Sequence, residues 1–103
     1  MAIALNIKAI DTAESAKDPA IKVLKALADP TRLGMVRKLA TCPSGTSGEA
    51  LCAKSILSQP TLSHHFQRLV EAGVVVEFKS GTAKNYILSK DLLKHCGINI
   101  AKL

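Results

Sequence analysis

Thr61, His64, His65 and Arg68 place a hydroxyl, two imidazoles and a guanidinium in one short stretch of chain. Such groups make the hydrogen bonds that base edges and phosphates can accept or offer. Their spacing is helical. Leu62, Phe66, Leu69 and Val70 recur among them at i, i+4, i+7 and i+8, an apolar stripe that leaves the polar side chains on the other side. His64 and His65 are adjacent in sequence, so a helix turns them about 100° apart and they are a poor chelate for one metal. The structural alternative for all four is a solvated helix face.

The elements around this stretch decide between the two. Ser58 caps the helix start, Pro60 fits its first turn, and Gly73 suits the left-handed residue that ends it. Val74 to Lys79 then reads as a strand, Ser80-Gly81-Thr82 as a turn, and Lys84 to Leu88 as a second strand. Lys79 and Lys84 flank that turn. A lysine is a point charge, so these two suit phosphate contacts that add affinity rather than sequence choice.

Upstream, Pro19 to Ala28 spaces Ile21, Leu24, Leu27 and Ala28 on one helical face, and Asp29-Pro30 starts a second helix with Leu33, Val36, Leu39 and Ala40. Thr41 to Gly48 has the composition of a loop. Glu49 to Leu57 reads as a helix so close to Ser58 that the two segments form a helix-turn-helix. Ser89 caps a last helix carrying Leu92, Leu93, Cys96, Ile100 and Leu103, with Gly97 inside it. The expected fold is mostly α with a small β-hairpin, a winged helix-turn-helix over residues 19–103. Residues 1–18 are expected to form an N-terminal arm, in which Ile3, Leu5 and Ile7 alternate with more polar positions; a frayed terminus is the other reading.

Charge is unevenly placed. The 103 residues carry a net charge of +6. Residues 1–31 balance four lysines against four carboxylates, while residues 32–103 hold ten basic side chains against four acids. A polyanionic partner accounts for this best, with a generically basic surface as the alternative. Only 3% of residues are aromatic, so the core must be aliphatic. In so small a chain the apolar terminal set Ile21, Leu24, Leu92, Leu93, Ile100 and Leu103 points to a dimer.

Cys42, Cys52 and Cys96 are odd in number and irregular in spacing, which argues against a secreted disulfide framework. Cys42, before Pro43, is expected to be the most exposed. The N-terminus lacks a signal-peptide pattern and no segment is apolar enough to span a membrane, so a cytoplasmic protein is expected. Paired carboxylates, a phosphate-binding glycine loop and a nucleophile with its base are all missing, which excludes the common enzyme classes. The competing class is a winged helix that docks an acidic protein, but its exposed face should carry apolar or aromatic anchors rather than a polar stripe.

LKALADPTRLGMVRKLA at 24–40, LSQPTLSHHFQRLVEAGVV at 57–75 and the wing with Gly81 and Tyr86 together resemble the ArsR/SmtB family of winged-helix repressors. The resemblance implies a homodimer on an inverted-repeat operator in double-stranded DNA, released by an inducer, with the first and last helices at the dimer interface. It puts the recognition-helix positions on Ser58, Gln59, Thr61, Ser63, His64 and His65, and the wing positions on Lys79, Gly81 and Lys84. The family's metal motifs do not carry over. Where they need a Cys-x-Cys pair the chain has only Cys52, and Asp91 and His95 on the last helix have the wrong spacing. No metal or other cofactor is therefore expected.

Overall fold

The computed structural model describes residues 18–53 and 55–103. The expected arm lies outside these residues except for Asp18. Two helices open the described chain, α1 (Pro19–Leu27) and α2 (Pro30–Ala40). Each starts with the same device, an aspartate cap followed by proline. Asp18 accepts from the Ala20 N–H at 2.8 Å and Asp29 from the Arg32 N–H at 2.9 Å.

The face that α1 buries differs from the expected one. Val23, Ala26 and Leu27 enter the core, Ile21 is half-buried, and Leu24 is 53% exposed. Both faces of this helix carry aliphatic residues, so periodicity alone does not choose between them. Packing does, since α1 contacts both α2 and the helix at Gln59–Glu71.

Thr46–Ser47 forms a short strand, β1, within the stretch expected to be loop. A single-turn helix, α3 (Gly48–Leu51), follows; the expected helix running to Leu57 is not formed. Ser47 caps α3 through the Ala50 N–H, Leu51 is buried, and the chain then turns with Ser55 N–H donating to Cys52 O at 3.0 Å. Ile56 is fully exposed, so it brings no packing to a continued helix, and a short helix that is poorly packed is not stable.

Helix α4 (Gln59–Glu71) carries the polar stretch. Its end is a two-bond cap around Gly73, at φ 81°: Val74 N–H donates to Leu69 O at 3.1 Å and Gly73 N–H to Val70 O at 3.0 Å. Leu69 and Val74, both fully buried, close this cap from the core side. The chain therefore passes without slack into the hairpin β2 (Val75–Ser80) and β3 (Ala83–Leu88), paired antiparallel from Val75↔Leu88 to Ser80↔Ala83. β1 adds to the far edge of β3, giving the order β1-β3-β2.

Helix α5 (Lys90–His95) is shorter than expected. Gly97, at φ 71°, ends it by the same arrangement as Gly73, with Ile98 N–H reaching Leu93 O at 2.9 Å. A 3-10 turn over Ile100–Lys102 follows. Leu93 and Ile100 are buried in the protomer core, so they leave the expected dimer set, whereas Leu24 and Leu103 stay more than half exposed. Val23, Val36, Leu39, Leu69, Val74 and Val75 form the fully buried centre, an aliphatic core as the composition requires.

Candidate nucleic-acid interface

Helix α4 is fixed from two directions. Leu62, Phe66 and Leu69 bury one side in the core. Phe66 also stacks on Tyr86 of β3, ring centroids 4.1 Å apart and planes 11° from parallel. This contact joins the helix to the wing, so that neither shifts without the other. Tyr86 can reach Phe66 because Gly48 leaves room: a Cβ there would lie 3.1 Å from the Tyr86 ring.

The outward side of α4 is polar. Gln59, Thr61, Ser63, His64 and Arg68 are all exposed, with no apolar anchor except Pro60 among its exposed residues. Ser58 is the N-cap: its Oγ accepts from the Thr61 N–H at 3.4 Å and lies 2.9 Å from Thr61 Oγ1. The Arg68 Nε donates to His64 Nε2 at 3.4 Å, one turn along the same face. Gln59 and Ser63 line a cleft of about 290 Å³ whose other wall is Lys84 and Tyr86 of the wing.

The wing tip concentrates positive charge. Strand alternation puts Lys79 and Lys84 on the same ribbon face as Tyr86, directly opposite each other in the register. Like charges so placed disfavour the hairpin. Glu77, 3.4 Å from Lys84 Nζ, offsets only part of that charge, and both lysines are exposed.

His65 departs from the row expected to hold it. Its side chain is 14% exposed, with Nδ1 3.8 Å from Asp29 Oδ2 and 3.4 Å from Arg32 Nη1. The position lies three residues after Leu62 and one before Phe66, at the border of the buried stripe, and the α1–α2 junction draws it inward. Arg32 completes that junction by donating through Nε to Ala26 O at 2.6 Å and through Nη2 to Lys25 O at 3.4 Å. The backbone N–H of Arg32, and its guanidinium and His65 after it, hold the Asp29 carboxyl below its usual range against the opposing effect of burial. Arg37 and Lys38 satisfy backbone carbonyls as well, at Leu103 (2.8 Å) and Leu51 (3.2 Å).

All three cysteines are free and half-buried, Cys42 included, so Cys42 is not the exposed thiol that its loop position suggests. Burial pushes the Cys52 thiol up, which disfavours the reactive thiolate. Among the described residues no three His, Cys, Asp or Glu side chains cluster as a metal site, and no helix is long and apolar enough to cross a membrane.

Comparisons with known proteins agree with this architecture. Residues 29–76, from the Asp29 cap to β2, match the family model described as "Bacterial regulatory protein, arsR family". The arsenical resistance operon repressor of Staphylococcus xylosus is 39% identical over 83 residues, covering 76% of this chain and 73% of its own. Among solved structures, the transcriptional regulator HlyU of Vibrio vulnificus is 34% identical with a TM-score of 0.61, over 82% of this chain and 85% of its own. A possible ArsR-family regulator from Mycobacterium bovis, described as a homodimeric winged helix-turn-helix DNA-binding domain, superposes with a TM-score of 0.68 at 26% identity, over 85% and 81%. With its helix-turn-helix, its wing and this extent of shared sequence, the chain belongs to the arsR family of winged-helix DNA-binding transcriptional regulators, and it is not an enzyme.

Proposed function

We propose that the protein is a repressor that binds an inverted-repeat operator as a homodimer and lets go when an inducer binds. The observation that carries this reading is the exposed polar row of α4, locked by Phe66 and Tyr86 to a wing whose tip holds two facing lysines. Gln59, Thr61, Ser63 and His64 read base edges in the major groove. Ser58 sets the helix N-terminus, Arg68, Lys79 and Lys84 meet phosphates, and His65 positions α4 against the α1–α2 junction. The repressor named above supports the direction of control, and the exposed Leu24 and Leu103 support pairing of subunits. The inducer acts at the subunit interface.

The wing provides the test. Replacing Lys79 and Lys84 together by alanine should weaken binding to operator and random duplex alike. It should also flatten the dependence of log affinity on log salt by about 0.9 for each phosphate no longer neutralised. Loss of operator preference with an unchanged salt slope would contradict the assignment.

The cysteines are expected not to sense. All are half-buried and no second thiol pairs with them, so zinc and mild peroxide should leave operator affinity unchanged. Titrating operator complexes with zinc, arsenite and peroxide, on wild type and a triple Cys→Ser variant, checks this. Release of DNA by any of the three, abolished in the variant, would make the cysteines the inducer site.

A further inference from the structure

Lys22 and Lys25 come from the part of the sequence whose charges cancel, residues 1–31. They face α4 across a groove of about 500 Å³, whose other lining residues include Arg32, His64, Arg68 and Glu71. Four basic side chains and one carboxylate thus line the groove. Arg32 is the floor, its guanidinium already bonded to the Ala26 and Lys25 carbonyls. Lys22, Lys25 and Arg68 are exposed and make no ion pair among the described residues.

The position of this groove gives it meaning. The cleft lined by Gln59 and Ser63 opens on the wing side of α4, and the groove lined by His64 and Arg68 opens on the opposite flank, toward α1. A helix seated in a major groove, about 12 Å wide, has a phosphodiester strand on each side. The wing lysines serve only one of them. We propose that Lys22 and Lys25, with Arg68, form a second phosphate clamp that holds the DNA strand on the flank of α4 away from the wing. The inference rests on the DNA-binding reading above. It adds α1, a helix with no part in base recognition, to the surface that grips the duplex from both sides.

The test uses the full chain with Lys22→Gln/Lys25→Gln and Lys22→Arg/Lys25→Arg variants, read by fluorescence anisotropy on operator and random duplex across a salt series. Both lysines are exposed on α1, so folding is preserved, which circular dichroism verifies. The glutamine pair should weaken both complexes equally and flatten the salt slope by about 1.8 per bound protomer, at about 0.9 per phosphate, while the arginine pair keeps the wild-type slope. A wild-type slope in the glutamine pair would overturn the clamp while leaving the DNA-binding reading intact. Failure of the wild type to bind any duplex would sink the reading itself. Inorganic phosphate, titrated at constant ionic strength and followed by backbone amide NMR shifts, separates a free-anion pocket from a DNA clamp. Saturable shifts at Lys22 and Lys25, with the DNA salt slope unaltered in the glutamine pair, would also overturn the proposal.

Discussion

Truncating Phe66 to alanine is expected to cost about 3–5 kcal/mol of folding stability, a large part of the roughly 5–15 kcal/mol available to a domain of this kind. Phe66 is 7% exposed and its ring is covered on one face by Tyr86, so deletion removes both apolar burial and the link between helix and wing. Phe66→Leu, which refills most of the volume, should recover much of the loss. Urea denaturation of the three proteins measures this. A double-mutant cycle with Tyr86→Ala isolates the ring pair, expected at about 0.5–1.5 kcal/mol beyond burial. A Phe66→Ala protein as stable as the wild type would mean that α4 and the wing are held together by something else.

The second large effect falls on recognition. Thr61→Ala and His64→Ala should each lower the preference for operator over random duplex by about 1–3 kcal/mol, the usual worth of one base contact. Stability should change little, because both side chains are exposed and the Ser58 cap keeps its bond to the Thr61 N–H when the hydroxyl contact to Thr61 Oγ1 is lost. Thr61→Ser keeps the hydroxyl and so separates its loss from loss of the methyl group. Competition binding against random duplex at fixed salt reads the preference directly. Equal weakening of both duplexes would move Thr61 and His64 from base reading to phosphate contact.

Much of the architecture follows from local signals. The caps at Asp29 and Ser58, each with a proline behind it, and the turn at Gly81 are settled within a few residues, and the structure keeps all three. Helix α4 and its buried stripe are equally legible, because only one of its faces is apolar. Features that depend on distant contacts are not. α1 has two aliphatic faces, and the neighbours that choose between them lie elsewhere in the chain. β1 is two residues long, too short for any alternation, and exists because β3 offers an open edge. His65 borders the α4 stripe, and its inward position depends on Asp29 and Arg32, more than thirty residues away. Counting charge along the chain places all the excess after residue 31, yet Lys22 and Lys25 line the basic groove beside α4.

That paired α4 helices read base edges in successive major grooves is tested most directly by selecting bound duplexes from a random-sequence library, which presumes no operator. The expected result is enrichment of an inverted repeat with half-site centres about 34 Å apart, one turn of the double helix. Recovery of unrelated sequences, or of lone half-sites without a symmetric partner, would contradict it.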